Sequence, residues 1–188
     1  MALTDEALAE RCLAGNRRAF DELVQRYHRR VYGLCRRMLG EDEEAADVAQ
    51  EAFVRAYRHL DQFDPSRRFK PWLMTIATNL SVNRLKGRRP EAESLDQRAG
   101  DEQRGPREAA EPGGGPAQAV EAGEFRERLE TAIRELPDQY RIVALLRYGE
   151  GLAYEEIAAA TRLPLGTVKT HLFRAKQKLR EKLADYVH

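Results

Sequence analysis

A chain of 188 residues can build one large or two small domains with their own cores, and two small ones are expected. Its 32 Lys and Arg against 31 Asp and Glu leave a formal charge of +1, so total charge alone does not point to nucleic acid. The distribution does, because acids collect before residue 65 and in the middle of the chain while bases collect at Arg84 to Arg89 and after Thr167. No charged-then-apolar leader and no long apolar run occur, so neither a signal peptide nor a membrane span is expected, and the expected location is cytoplasmic. Cys12 and Cys35 have no His or Cys at ligand spacing and read as small buried apolar residues, without a metal. There is no Gly-rich phosphate loop, and His28, His59, His171 and His188 have no nucleophile at a recognisable spacing, which argues against an enzyme and against a cofactor.

In chain order, Thr4 is placed to cap a short helix that ends at Gly15, with Asp5 and Glu6 in its first turn and Leu3 and Leu8 as a hydrophobic staple. Asn16 is placed to cap a second helix, whose apolar positions Phe20, Leu23, Val24, Tyr27, Val31, Leu34, Cys35 and Met38 keep helical spacing up to Gly40. Its other face is rich in arginine, either solvated or turned toward phosphates or an acidic partner. The third helix, from Glu41 to Leu60, has Ala45, Val48, Ala49, Ala52, Phe53, Ala56 and Leu60 on one stripe. Opposite them Glu44, Asp47 and Glu51 precede Arg55 and Arg58, the order a helix dipole favours. The same acidic patch, with Gln50 beside it, would equally serve as a docking surface for another protein.

A polar loop from Asp61 to Lys70 leads to Pro71, which is expected to open a fourth helix with Leu73, Ile76, Ala77 and Leu80 buried. Helical steps of three and four put Trp72, Thr75, Asn79, Asn83 and Lys86 in one line. A ring, a hydroxyl, two amides and an ammonium can stack on an unpaired base, bond its edge and neutralise its phosphate. The plainer alternative makes Trp72 half-buried core and leaves the amides to nearby backbone or water. From Gly87 to about Glu124 the segment has no aromatic residue and a Gly/Pro cluster at 112 to 116, so it reads as a flexible linker.

Beyond it, apolar residues at 125, 129, 132, 133 and 136 mark a helix that stops at Pro137. Asp138 is placed to cap a further helix running to Gly149. Ile157, Ala158, Leu163, Val168 and Leu172 then fit two short helices joined by a tight turn near Thr161 to Leu163, a helix-turn-helix pattern. The second of these, opened by Pro164 and running to about Leu183, carries Thr167, Lys169, Thr170, His171, Arg174, Lys176, Lys178 and Lys182 on the side read as outward. A duplex major groove suits such a face; a solvated basic helix in a small bundle is the alternative.

The ordered combination of DVAQEAFVRAYRHL, FKPWLMTIATNLSVNRLK, a linker, LPDQYRIVALLRYGEGLAYEEIA and LPLGTVKTHLFRAKQKL resembles the extracytoplasmic-function class of bacterial RNA polymerase sigma factors. The resemblance implies an all-α chain of two helical domains: a sigma region 2 domain at 1–89, a flexible linker at 90–123 and a sigma region 4 domain at 124–188. It implies docking on core RNA polymerase through Asp47, Gln50 and Glu51. Phe69, Trp72, Asn79 and Asn83 would then capture the melted non-template strand of the minus-ten element, with Arg84, Lys86, Arg88 and Arg89 on nearby phosphates. Lys169, Thr170, Phe173 and Arg174 would read the minus-thirty-five element in promoter DNA, with Arg147 and Thr167 on its backbone. An anti-sigma protein, free or membrane-anchored, is the further partner it implies. Three departures stand out: Thr161 and Arg162 where many relatives have Leu-Gly, His171 where they often have Arg, and Asn83 in place of a frequent Asp. A stand-alone helix-turn-helix regulator, binding duplex unaided as a dimer, would account for the last third of the chain alone.

Overall fold

In the computed structural model of the protein, residues 3–88 and 116–184 are described, with backbone alone for 116–123. They fall in two compact units, one within residues 1–93 plus 155–162 and the other within 94–154 plus 163–188. Every regular element among the described residues is helical, as the all-α reading expects.

The first unit is a bundle of α1 (Asp5–Leu13), α2 (Arg17–Leu39), α3 (Asp42–Arg58) and α4 (Phe69–Arg88), with a single 3₁₀ turn at Leu60–Gln62. Thr4 caps α1, its hydroxyl accepting from the Ala7 N–H at 3.2 Å. Asn16 stands at the N-cap position of α2 but its side chain makes no capping bond, because its backbone (φ −85°, ψ 87°) leaves the extended conformation a side-chain cap uses. Gly40 closes α2 in the left-handed conformation at φ 82°, which glycine adopts without a Cβ penalty.

α2 is the axis of this bundle, packing against α1, α3 and α4. Its Leu23, Val31, Leu34, Cys35 and Met38 are fully buried, each large aliphatic contributing roughly 1.5–3 kcal/mol. The alanines of α3, Ala45, Ala49, Ala52 and Ala56, let that helix sit close. Because α4 is packed against both α2 and α3, it is buried over a wider arc than its sequence stripe. Met74, Thr78, Ser81 and Val82 join Leu73, Ala77 and Leu80 in the core, whereas Ile76 is only half-buried. Ser81 donates to the Ala77 carbonyl at 2.9 Å and has Cys35 Sγ 3.7 Å from its hydroxyl oxygen, and burial pushes the Cys35 thiol up to about 11. α4 starts at Phe69, so Pro71 lies inside its first turn, where an absent N–H costs no helical bond.

In the second unit, α5 (Pro116–Arg134) begins inside the stretch the sequence reads as linker. Proline at the first helical position and the alanines that follow favour that start. α6 (Asp138–Ala144) has Pro137, not Asp138, at its N-cap; the Asp138 carboxylate is instead held by Arg141 Nη2 at 2.6 Å. Arg141 also donates to the Arg134 carbonyl at 3.1 Å, stitching the end of α5 to α6. α6 runs on into a π turn at Leu145–Gly149, where the Glu150 N–H reaches back to the Leu145 carbonyl at 3.0 Å. α8 (Leu165–Lys182) packs on α6, with Ala175 and Leu179 against Leu136, Tyr140 and Ala144. α7 (Tyr154–Thr161) precedes it in the chain but, from Glu155 on, belongs to the first unit, and after it Arg162 stands at φ 58°. This is the positive backbone angle that the Leu-Gly to Thr-Arg departure made the point at issue.

Candidate nucleic-acid interface

The front of α4 is built on a cluster of aromatic rings. Phe69 is 1% exposed, with Tyr27 at 5.9 Å, Phe63 edge-on at 5.4 Å and Trp72 at 5.6 Å between ring centroids. Trp72 also lies 5.3 Å from the buried Phe63 and stays half-buried, so one part of its indole is held by rings and another remains open. This corrects the expectation for Phe69: its ring is sealed in the core and supports Trp72 instead of meeting a base. Glu6 fixes the same corner from another helix, its Oε1 accepting from the Phe69 N–H at 3.0 Å and satisfying one of the unpaired donors that open α4. No local signal in the sequence announces a cap supplied from α1.

In the loop before it, Asp64 accepts from both the Ser66 N–H (2.9 Å) and hydroxyl (2.7 Å), and these bonds hold its carboxyl below the usual range. Farther along α4, Asn79 is half-buried while Asn83, Arg84 and Lys86 are exposed on the described surface. Thr75 has spent its hydroxyl on the Pro71 carbonyl at 2.9 Å. Arg88, expected on a phosphate, donates to the Leu39 carbonyl at 2.9 Å and pairs with Glu44, so it ties the end of α4 to α2 and α3. Arg89 lies outside the described residues.

On α3, Asp47 and Gln50 are exposed and Glu51 is half-buried, all on one face. Glu51 accepts from Arg55 Nε at 2.9 Å and Nη2 at 2.5 Å. Asp42, nearer the start of the helix, pairs with Arg36, which holds its carboxyl low.

On α8, Lys169 and Arg174 are exposed and Thr170 and Phe173 are half-buried, which leaves the four positions expected to read bases at or near the surface. Thr170 donates to the Gly166 carbonyl at 3.0 Å, and Arg174 Nη1 to Tyr140 Oη at 3.3 Å. Two residues of the expected outward face point elsewhere. Thr167 is 9% exposed and His171 5%, the latter edge-on to Tyr140 at 5.4 Å. Burial, with Arg174 nearby, lowers the His171 pKa and keeps the ring neutral. The residue that replaces an arginine is therefore a core packing residue, not a weakened DNA contact. Arg147 is half-buried as well; it donates to the Leu152 carbonyl at 3.0 Å and lies 5.0 Å over the Tyr154 ring, so it shapes the turn that leads into α7.

Among the described residues no helix is long and apolar enough to cross a membrane. Residues 23–91 match Sigma-70 region 2 and residues 126–179 match Sigma-70 region 4. The chain is 40% identical over 172 residues to the ECF RNA polymerase sigma factor SigW of Bacillus subtilis, covering 91% of this chain and 92% of the relative. It is 38% identical over 193 residues to the ECF RNA polymerase sigma-E factor of Escherichia coli K12, covering 98% and 97%. Among solved structures, CnrH in complex with the cytosolic domain of CnrY matches with a TM-score of 0.64 at 26% identity over 97% of this chain and 98% of that one. The sigma factor RpoE of Bartonella quintana, solved with the anti-sigma factor NepR, shares the fold with a TM-score of 0.62 at 22% identity over 88% and 96%. Two helical regions in this order, with identity of this level along most of the chain, make the protein a member of the extracytoplasmic-function class of RNA polymerase sigma factors.

Proposed function

We propose that this sigma factor, which directs RNA polymerase to promoters, divides promoter recognition between the front of α4 and the exposed face of α8. The observation that carries the reading is Trp72, held half-open on the buried Phe63 and Phe69 rings with Asn79 and Asn83 following it along the same helix. An indole fixed in this way can stack on an unpaired base, and the two amides can bond base edges; each stacked base is worth roughly 1–3 kcal/mol. That free energy offsets the unstacking and unpairing of the minus-ten duplex. Arg84 and Lys86 neutralise the strand's phosphates, while Arg88 and the buried Phe69 serve as supports.

On α8, Lys169, Thr170, Phe173 and Arg174 are read as the contacts to the minus-thirty-five element. Asp47, Gln50 and Glu51 of α3 are read as the surface that meets core polymerase. The functional domains in this reading are 1–89 and 124–188, and tethering them through 90–123 makes the second DNA contact effectively intramolecular. The chain has no chemistry of its own here: polymerase supplies catalysis and this protein supplies choice of site. An anti-sigma protein covering both DNA faces belongs to the same proposal; the similar CnrH was solved with the cytosolic domain of CnrY bound.

The test is Asn79→Ala combined with Asn83→Ala. Open-complex formation, followed by permanganate footprinting on promoters mapped by transcription of a genomic library in vitro, is expected to be lost while co-purification with core polymerase persists. Loss of polymerase association instead would show that the α4 face had been assigned to the wrong partner. The duplex-regulator alternative is separated by binding of the isolated chain: robust sequence-specific binding to duplex without polymerase would favour it.

A further inference from the structure

α1 ends at Leu13, ahead of the region 2 match that begins at residue 23, and no part in promoter recognition has been given to it so far. Leu8 and Ala9, 1% and 0% exposed, seat it in the bundle, where it packs on both α2 and α4. Asp5 and Glu6 are consecutive, so the helix turns them about 100° apart, one toward each neighbour. The Glu6 carboxylate accepts from the Phe69 N–H at 3.0 Å. The residue before Phe69 is Arg68, whose side chain carries only donors, so it cannot cap α4 from the usual local position. The Asp5 carboxylate accepts from the Tyr27 hydroxyl through one oxygen and from Arg26 Nη1 at 2.7 Å through the other. Arg26 Nη1 also reaches the Leu3 carbonyl at 2.8 Å, which fixes the guanidinium and so the carboxylate it holds. The two ties converge on one residue. Glu6 holds the backbone of Phe69, and Tyr27, held by Asp5, lies 5.9 Å from its ring; that ring is in turn 5.6 Å from Trp72.

We infer that α1 is the positioning element for strand capture: Glu6 fixes the first turn of α4 and Asp5 the ring behind Phe69, and together they hold the Trp72 indole ready for a base. Trp72 rides on the turn that Glu6 caps, and a helix end without its cap leaves donors unsatisfied and frays. An indole held in place before the base arrives loses less freedom on stacking, so the strand binds more tightly. Asp5 and Glu6 are positioning residues in this arrangement, acting through Phe69 and Trp72 and not on DNA. Their role rests on the strand-capture reading of α4 above.

Trp72 is the only tryptophan of the chain, so the emission of the free protein reports that indole alone. Strand binding is measured on holoenzyme assembled from core polymerase and the full chain, with a fluorescein-labelled non-template strand from a promoter mapped by transcription in vitro. Glu6→Ala is expected to shift the Trp72 emission to the red, raise its quenching by acrylamide and weaken strand binding by up to about tenfold, the order of one lost stack. Co-purification with core polymerase should persist. Glu6→Gln keeps an acceptor oxygen and is expected to restore both readouts. Asp5→Ala should move both in the same direction by less, since its effect passes through Tyr27. Met38→Ala controls for stability alone. It truncates a fully buried side chain beside Leu39, whose carbonyl Arg88 holds at the opposite end of α4 from Phe69. It is expected to lower the urea midpoint and leave the emission of the folded protein as in wild type. Wild-type emission and strand binding in Glu6→Ala would overturn the positioning role. An equal emission shift in Met38→Ala would also overturn it, by reducing α1 to a source of stability. So would a Glu6→Gln protein that falls as far as Glu6→Ala, because charge and not a cap would then be at work. Trp72→Ala separates this role from the reading beneath it. Weak strand binding there, with Glu6→Ala unaltered, sinks the positioning role alone; undiminished binding there removes the stacking face, and the part of α1 in strand capture with it.

Discussion

The front of α4 and the face of α8 are both read as DNA-contacting surfaces, yet they are constructed differently. On α4 the exposed line is positioned by residues distant in sequence: Phe63 and Phe69 beneath Trp72, Tyr27 behind Phe69, and Glu6 capping the helix from α1. On α8 the exposed residues are set by helical periodicity around one packing contact, Tyr140 against His171, together with the α6 seam that holds Ala175. A surface of the first kind depends on its core; one of the second kind depends on the rotation of a single helix. The difference teaches that damage to the core should cost α4 its function as well as its stability, whereas α8 should tolerate much more.

Phe69→Ala is the severest way to break this contrast. It removes a fully buried ring at the junction of three others, and truncations of that kind cost about 3–5 kcal/mol. Urea denaturation of the full chain should show an earlier midpoint for the first unit, and strand opening should fail even where polymerase still binds. If Phe69→Ala left stability untouched and abolished only strand opening, Phe69 would be a direct contact after all and the support role argued from its burial would be wrong.

His171 gives a smaller effect and a sign that can be worked out. Its folded pKa lies below the ordinary 6.5 because burial disfavours the imidazolium, with Arg174 adding to the shift. The unfolded chain therefore binds this proton more readily than the folded one. The contribution to stability is fully present above pH 6.5 and is lost as pH falls through the folded pKa. Comparing wild type with His171→Gln by thermal melting between neutral and mildly acidic pH isolates this group from the carboxylates. The wild type should lose more stability on acidification than the variant; parallel losses would mean that His171 is already exposed to solvent.

How much of this was legible in the sequence follows the same division. The α3 stripe could be read completely, since Ala45, Val48, Ala49, Ala52, Phe53 and Ala56 all turn out buried and helical period alone determines such a face; Leu60 is buried too, but in the 3₁₀ turn after the helix has ended at Arg58. Thr4 and Gly40 were readable because a cap is a local event. The cap from Glu6 was not, since it joins residues 63 apart and nothing near Phe69 signals it. Phe69 and Arg88 were read by their chemistry, as stacking ring and phosphate-binding cation, and folding buried the first among other rings and engaged the second, at the surface, with Glu44 and the Leu39 carbonyl. His171 was missed for a related reason. A polar residue in a basic run reads as outward, and only the position of Tyr140 on α6 reveals that this one faces in.

Arg162 supplies the finest test, because it concerns backbone alone. At φ 58° it occupies the left-handed region, where an L side chain crowds its own backbone and costs about 1–2 kcal/mol. Arg162→Gly removes that crowding but adds freedom to the unfolded chain, which returns roughly 0.5–1 kcal/mol of the gain. A net stabilisation of up to about 1.5 kcal/mol is expected, visible as a higher urea midpoint with an unchanged slope. The side chain of Arg162 is exposed, so little packing is lost with it. If the α8 face is set by the rotation of its helix, relaxing the turn in front of it should leave recognition of the minus-thirty-five element unaltered while stability rises. If stability rises and recognition falls, the left-handed arginine is holding α8 at the angle that base reading requires, and the second surface is then as dependent on its surroundings as the first.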